Sequence, residues 1–380
     1  MAEAYLAGAV RTPVGTRKGA LAAEHPADLG ARVLRELVER TGVDPAAIED
    51  VIMGCVNAMG SQAGCIARTA WLSAGLPQSV PGVTIDRQCG SSQQALHFAA
   101  QAVMSGTQDL VIAAGVENMG MVPIDVNRIV IEGLGVGKYG SGWSARYGDQ
   151  EISQFRGAQL ITEKWALSRA ELEQFSLESH RRAVQATGQG RFADQIVPVG
   201  ELASDEGPRP DTTLGKMAAL EPLRPGWDIT AAVASQISIG AAAVLVASER
   251  AVRRHGLQPL ARVHAMSVVG DDPVYMLTGP IPATSAVLAR AGLTIDDIDA
   301  FEVNEAFAPV VLAWAKEMAA PLERTNVNGG AIALGHPLGA SGAILATKLI
   351  HELHRTGGRY GLQTMCEGGG QANAIVFERI

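Results

Sequence analysis

The chain has 380 residues, of which 47% are hydrophobic and 18% are charged, and it contains 43 glycines. That length exceeds what one hydrophobic core usually holds, so two or three compact domains are expected. The formal charge of −8 argues against general binding to nucleic acid or to an anionic membrane, while a local basic site for an anionic ligand stays open.

The N-terminal stretch "MAEAYLAGAVRTPVG" reads as a strand that soon reaches Arg11 and Pro13, and it lacks the apolar core of a signal peptide. No apolar run approaches the roughly 20 residues that span a bilayer. The cysteines show neither CxxC pairs nor a secreted disulfide framework, which indicates free thiols in a reducing compartment. They are Cys55, Cys65, Cys89 and Cys366. We therefore expect a cytoplasmic protein that binds neither membrane nor nucleic acid.

Segments of the first part of the chain recur 250 residues later. Residues 37–56 align with 287–306, and each reads as a helix end, a glycine turn, a short acidic turn and an apolar strand. Three further pairs follow in the same order: the helix after Cys89 with 336–356, 109–120 with 359–370, and 240–249 with 371–380.

Residues 121–239 have no counterpart and interrupt the first copy before its last strand. We therefore predict an α/β protein with an N-terminal half of residues 1–120 and 240–258, an inserted loop domain of residues 121–239, and a C-terminal half of residues 259–380. Strands that alternate with helices predict mixed, mostly parallel sheets with helices on both faces.

The segment "DRQCGSSQQA" places Cys89 at the entry to a helix. A helix N-terminus presents unpaired N–H groups and partial positive charge, which would lower a cysteine pKa from its free value of about 8.5. The small residues Gly90, Ser91 and Ser92 leave room for an acyl group. The alternative is a buried structural thiol.

Three other residues are candidates by their settings. His336 lies in the turn that corresponds to that of Cys89 in the second copy, and Cys366 ends a strand before three glycines whose amides a substrate can approach. Asn304, in "VNEAFAP", also ends a strand, and its amide suits a water or a carbonyl oxygen. Their alternatives are a surface or core histidine, a buried thiol and a helix cap.

Other chemistry finds no support in the sequence. Cys55 and Cys65 lack the spacing and the histidines of a zinc site, and there is no P-loop. His180 reads as a surface residue, and His351 and His354 read as a solvated helix face.

Together, "DRQCGSSQQA", "NEAFAP", "GGAIALGHPLGASGA" and "CEGGGQANA" resemble, in order and spacing, the four motif blocks of the thiolase family across essentially the whole chain. The resemblance implies the thiolase fold, in which two duplicated α/β domains form αβαβα layers with an inserted loop domain. It also implies a homodimer or homotetramer.

The resemblance assigns each candidate a role. Cys89 would be the acylated nucleophile and His336 the base that activates it, while Cys366 would move the α-proton of the substrate as general acid and base. Asn304 would hold a water that forms one oxyanion hole with His336, and the N–H groups of Cys89 and Gly368 would form the other. No metal or redox cofactor is expected, because coenzyme A and acyl-CoA are substrates.

The stretch "VASQISIGAA", residues 233–242, departs from the family's "NxSGxNDGAA" pattern. Ser235 still matches the serine expected near the pantetheine of coenzyme A, whereas Gln236, Ser238 and Ile239 replace the Gly, Asn and Asp. Residues 145–155 also lack the His-Met-Gly element of many biosynthetic members. "TIDRQCGSSQQA" and "SQIS" are more similar to bacterial degradative thiolases, including those of steroid-ring breakdown.

The predicted activity is cleavage of a 3-oxoacyl-CoA by coenzyme A to acetyl-CoA and a shortened acyl-CoA, or the reverse Claisen condensation. It runs through an acyl-cysteine and belongs to fatty-acid or steroid degradation. Three alternatives stay open: a biosynthetic enzyme that forms acetoacetyl-CoA, a decarboxylating ketoacyl synthase, which "TMCEGGG" disfavours, and a non-catalytic acyl-CoA or lipid-binding protein, which should have lost one of the blocks.

Overall fold

The computed structural model describes residues 2–380. Its strands are β1 (Ala4–Arg11), β2 (Gly15–Thr16), β3 (Asp50–Gly54), β4 (Gly82–Ile85), β5 (Leu110–Asn118), β6 (Ser238–Ser248), β7 (Ala261–Gly270), β8 (Ala300–Val303), β9 (Tyr360–Glu367) and β10 (Gln371–Arg379). Its helices are α1 (Pro26–Thr41), α2 (Ile66–Ser73), α3 (Ser91–Ser105), α4 (Val126–Gly133), α5 (Ser141–Tyr147), α6 (Gln154–Lys164), α7 (Arg169–Gly188), α8 (Leu214–Ala218), α9 (Glu249–His255), α10 (Pro280–Ala291), α11 (Ala308–Met318), α12 (Ala331–Leu334) and α13 (Leu338–Thr356).

The strands run in the order β4-β3-β5-β6-β1-β7-β10-β9-β8, and β2 pairs with β6. The order β3-β5-β6-β1 in the N-terminal half is matched by β8-β9-β10-β7 in the C-terminal half. The two halves meet through a short antiparallel contact in which Tyr5 pairs with Arg262 and Leu6 with Ala261. The repeat in the sequence is therefore a repeat of strand order.

Local signals in the two copies also correspond. Helices α1 and α10 both have a proline in their first turn, where its missing N–H costs nothing. Both end before a glycine in the left-handed region, Gly42 with φ of 66° and Gly292 with φ of 67°. The same start and stop residues thus give two helices that end 250 residues apart.

The packed layers follow from side chains that alternate between the faces of each strand. On β5, Ile112 and Ala114 pack with α1 and α2, whereas Val111 and Ala113 pack with α3 and α13. On β10, Phe377 packs in that same central core, and its neighbours in the strand face α10 and α11. Helices α3 and α13 therefore lie between the two halves of the sheet, which gives the expected αβαβα layers.

The central helices pack closely because small residues face each other. A Cβ on Gly342 of α13 would come within 2.2 Å of the backbone nitrogen of Gln93 on α3. The Oγ of Ser92 also accepts a hydrogen bond from the Ala343 N–H at 2.9 Å. Because the chains that enter α3 and α13 carry Cys89 and His336, this packing brings the two motif blocks together.

The prediction of mostly parallel sheets is wrong. Only β3–β4, β3–β5 and β8–β9 are parallel, and every other pairing of strands among residues 2–380 is antiparallel. The connection between β9 and β10 shows the reason. It is a tight turn that contains Gly369 and Gly370 with φ of 89° and 73°, and a turn that short can join only antiparallel neighbours.

Helices α4 to α8 lie in the segment between β5 and β6. Helix α7 begins with a capping box in which Ser168 and Glu171 satisfy each other's backbone N–H groups. Residues of α6 and α7 share a core with Phe307, Ile332 and Cys366 of the C-terminal half. The insertion therefore packs directly over the second set of motifs. The domain boundaries drawn from the sequence stay a prediction.

Candidate active site

Cys89 lies in the turn between the end of β4 and the start of α3, and its thiol is partly exposed. Ser91 shapes this turn, because its Oγ accepts from the Arg87 N–H at 3.0 Å and donates to the Gln88 carbonyl at 2.6 Å. Gln88 adopts a left-handed φ of 49°, which bends the chain sharply before the cysteine.

The low thiol pKa expected from the helix N-terminus is wrong for the unliganded site. Burial first, and the neighbouring Glu367 carboxyl second, raise the pKa of Cys89 to about 12. Withdrawal of water therefore outweighs the helix-end field at this position. A neutral thiol is a weak nucleophile, so acylation at Cys89 requires a base that removes its proton.

His336 is buried in the extended link between α12 and α13. Its Nδ1 lies 2.6 Å from the Oγ of Ser341, and that hydroxyl donates to the Pro337 carbonyl at 2.9 Å. Since the Ser341 proton is already used, the Oγ accepts from Nδ1–H, which leaves Nε2 without a proton. Burial also lowers the pKa of His336 to about 4, so the ring is a neutral base at Nε2.

Asn304 follows β8 and lies beside the His336 ring. Its backbone N–H donates to the Thr364 carbonyl on β9 at 3.0 Å, which fixes the loop next to the strand of Cys366. Its Nδ2 is 3.3 Å from His336 Nε2, consistent with an amide N–H that donates to the unprotonated nitrogen. The Asn304 Oδ1 is buried and has no hydrogen-bond partner among residues 2–380.

Cys366 is fully buried near the end of β9. Burial first, and then the charge of Cys89, raise the pKa of Cys366 well above its usual range. The electrostatic coupling of the two thiols places them in one pocket. The turn after β9 faces the nucleophile as well, since a Cβ on Gly368 would lie 2.9 Å from the Oε1 of Gln88.

The departures from the family pattern support the His336 loop. Ser238 and Gln236 both accept from the His336 N–H, through Oγ at 3.1 Å and the backbone carbonyl at 3.3 Å. The Gln236 side chain also donates to the carbonyls of Ile332 and Ala333, at 2.9 and 3.1 Å. These residues anchor α12 and the histidine, a role that the sequence comparison with the family pattern did not suggest.

Sequence reasoning missed Glu117, the buried carboxylate at the end of β5. Its oxygens accept from the N–H groups of Val56 and Gly339, both at 2.9 Å, and from Gln62 Nε2 at 2.6 Å. It thereby ties the start of α13 to the loop after β3. A signal was available, because glutamate occupies this position in both aligned copies, as Glu117 and Glu367.

A cavity of about 260 Å³ in the insertion lies next to the site, lined in part by Arg209, Lys216 and the residues on either side of Ser235. The Ser235 N–H donates to the Ala306 carbonyl at 3.0 Å, two residues beyond Asn304. The two cations suit an anionic ligand.

The interpretation of His180 as a surface residue is wrong. His180 is buried on the wall of this cavity, where its Nδ1 accepts from the Arg209 N–H at 3.2 Å and burial lowers its pKa to about 4.

Two searches of residues 2–380 add limits. No group of three or more His, Cys, Asp or Glu side chains is arranged to hold a metal ion. No helix in this range is long and apolar enough to cross a membrane.

Comparison with known proteins places this geometry in a family. Residues 4–250 match the thiolase N-terminal domain and residues 257–379 match the thiolase C-terminal domain. The chain belongs to the thiolase family. The family, the fold class and the enzyme class expected from the motifs are confirmed.

Among its relatives is the steroid 3-ketoacyl-CoA thiolase FadA6 of Mycobacterium tuberculosis, 59% identical over 100% of this chain and 95% of the relative. The 3-oxoadipyl-CoA/3-oxo-5,6-dehydrosuberyl-CoA thiolase of Escherichia coli is 42% identical over the full length of both chains. The crystal structure of human mitochondrial 3-ketoacyl-CoA thiolase superposes with a TM-score of 0.90 at 35% identity, covering 100% of this chain and 99% of the other.

Proposed function

We propose that this thiolase cleaves a 3-oxoacyl-CoA whose acyl group is bulky and derived from a steroid, with Cys89 as the acylated residue and His336 as its base. The observation that carries the assignment is the tautomer of His336. Ser341 holds Nδ1–H at 2.6 Å and Asn304 donates toward Nε2 at 3.3 Å, so the free nitrogen is the one in the pocket of the two thiols.

The first half of the reaction forms the acyl-enzyme. His336 Nε2 takes the proton of Cys89, and the thiolate attacks the C3 carbonyl carbon of the substrate. When the tetrahedral intermediate collapses, the C2–C3 bond breaks and its electron pair leaves on the acetyl-CoA fragment. Cys366 gives its proton to that carbon, which releases acetyl-CoA and leaves an acyl group on Cys89.

The second half transfers the acyl group to coenzyme A. The Cys366 thiolate removes the proton of the incoming coenzyme A thiol, whose sulfur then attacks the acyl carbon on Cys89. The Cys89–acyl bond breaks, and the cysteine sulfur recovers a proton from His336. Protons and charges are thereby restored without a redox or metal step.

Two sets of donors would stabilise the oxyanions of these steps. The unpaired Oδ1 of Asn304 suits a water that would act with His336 as one set. The N–H groups of Cys89 and Gly368 would form the other, which is supported by the close approach of the turn at Gly368 to Gln88.

Coenzyme A is expected to enter beside Ser235 through the cavity of the insertion. Arg209 and Lys216 offer positive charge to its phosphates, and the N–H of Ser235 bonds the loop that follows Asn304. The same entrance gives the acyl-CoA its direction toward Cys89.

The bulky acyl group is supported by the 59% identity to a relative named as a steroid thiolase, whereas the 42% identical relative is named for 3-oxoadipyl-CoA. A thiolysis panel of short, long-chain and polycyclic 3-oxoacyl-CoAs, compared by kcat/KM with free coenzyme A, tests this choice. Polycyclic substrates should give the highest value. A preference for acetoacetyl-CoA would instead favour the biosynthetic alternative.

A cytoplasmic homodimer or homotetramer is part of the proposal. The strand β4 ends the sheet with an unpaired edge, and Val83 on it is 41% exposed, which is unusual for a stable monomer surface. Light scattering of the purified protein would show a mass of two or four chains, and a monomer would contradict the proposal.

A further inference from the structure

Glu367 is a carboxyl group that the mechanism above does not use. It is fully buried at the end of β9, directly after Cys366, and neither of its oxygens has a hydrogen-bond partner among the residues described. The group lies against the turn of the nucleophile, since a Cβ on Gly90 would come within 1.9 Å of its Oε1. Residue 90 must therefore be glycine for the carboxyl to stay there.

The other copy of the repeat shows how unusual this setting is. Glu117, at the matching position, accepts from three backbone N–H groups and from Gln62 Nε2 at 2.6 Å. The residue 250 positions after Gln62 is Leu312, which has no donor to offer. The repeat has kept the carboxyl in the second copy without the groups that hold the first one ionised.

The charged neighbours of Glu367 lie almost entirely in the turn before α3. They are Asp86, Arg87 and Cys89, with Cys366 on its own strand, while the near residues of β10 are the uncharged Gln371 and Asn373. Burial raises the pKa of Glu367 to about 8, which Arg87 opposes and Asp86 reinforces. Glu367 in turn is the second cause, after burial, of the high pKa of Cys89, and a lesser cause at Cys366.

We infer that Glu367 is a positioning residue that controls the ionisation of both thiols from beneath the nucleophile turn. In its neutral form it allows Cys89, and later Cys366, to lose a proton, and in its ionised form it opposes both thiolates. Thiolysis requires one thiolate at a time in a buried pocket, and a second fixed negative charge there would disfavour each step. Glu367 forms no bond to the substrate and transfers no proton to it.

This inference rests on the proposed roles of the two cysteines, so its test reads ionisation directly. The rate of Cys89 alkylation by iodoacetamide is followed against pH by peptide mass spectrometry, in a Cys366→Ala background that removes the second thiol. With Glu367 present, the logarithm of the rate should rise with pH and bend to a shallower slope near the pKa of the carboxyl.

The Glu367→Gln variant should show no bend. Above the bend of the parent it should react about tenfold faster, because a like charge nearby moves a pKa by about one unit or more and one unit is tenfold in thiolate. Glu367→Asp is the matched control, since it keeps an ionisable group and should keep a bend. A folded Gln variant with the parent's profile would overturn the inference.

A measurement on the unaltered enzyme decides the matter if the Gln variant does not fold. Infrared difference spectra taken across the pH range should show a protonated carboxyl band that is lost near pH 8, on the side of neutral pH where Glu117-type carboxylates stay ionised. Absence of that band would refute the inference. Acyl adducts on another cysteine would overturn the proposed function instead, and would leave the alkylation result unaffected.

Discussion

Replacing Ser341 by alanine tests the tautomer on which the proposed chemistry depends. The Oγ of Ser341 lies 2.6 Å from His336 Nδ1, and no other side chain among residues 2–380 bonds that nitrogen. Loss of the partner of a buried polar group costs about 1–3 kcal/mol. The ring can escape that cost only by moving its proton to Nε2, which would then face the Asn304 amide donor at 3.3 Å and could not act as a base.

If that energy is expressed in the transition state for acylation, kcat/KM falls by about 5- to 150-fold. The assay is single-turnover acylation of Cys89, quenched and measured by mass spectrometry, together with steady-state thiolysis. Ser176→Ala is the matched control, because Ser176 is also buried and its Oγ donates to a carbonyl four residues earlier at 2.8 Å, but it lies in α7. A folded Ser341→Ala enzyme that acylates at the normal rate would refute the tautomer argument.

Three further predictions concern other parts of the site. Cys366→Ala should abolish thiolytic cleavage but leave acylation of Cys89 detectable, whereas Cys89→Ala should lose both activities; mass spectrometry and thiolysis assays on both variants check this, and undiminished thiolysis in the first would reject the acid/base role. Burial lowers the pKa of His97 to about 3 from 6.5, so the unfolded chain binds a proton that the folded chain refuses, and stability present above about pH 6.5 is lost on acidification by about 1.4 kcal/mol per pH unit. His97→Gln should make the unfolding free energy fall less steeply with acid by one proton, and an unchanged slope in denaturant titrations would contradict that. Arg209→Gln should raise the KM for coenzyme A by about tenfold with little change in kcat, if the charge binds ground and transition states alike; a fall in kcat alone would place Arg209 elsewhere in the mechanism.

The repeat explains how much of the fold was readable from the sequence. Periodic apolar residues and glycine stops recur 250 residues apart, and α1 and α10 show the same proline start and left-handed glycine end. Strand direction was not readable, because an apolar run such as β5 or β6 is buried in either orientation. Only the length of the connections decides it, and the insertion hid one connection while three glycines shortened another.

The catalytic residues were readable for a different reason. Cys89, His336 and Cys366 each stand among small residues at an element boundary, and that setting is visible in one dimension. The pKa of Cys89 was not, since it depends on how much water the neighbours exclude and on Glu367, which is 278 residues away along the chain. Charge and burial from distant segments therefore overrode a correct local argument about the helix N-terminus.

The duplicated fold assigns different chemistry to equivalent positions. The turn before α3 carries the nucleophile, and the turn before α13 carries the base, while the position of Cys89 is taken in the second copy by Gly339. Gly339 must be small, because a Cβ there would lie 2.7 Å from the Glu117 carboxylate and from the Cys55 backbone. One copy thus packs its helix end tightly onto a carboxylate that its N–H binds, and the other leaves that space to a reactive sulfur. Because both turns lie on adjacent helices of one central layer, a single packing interface fixes the distance between nucleophile and base. Substitutions that separate α3 from α13, such as Gly342→Ala, should therefore reduce acylation even though they touch neither catalytic side chain.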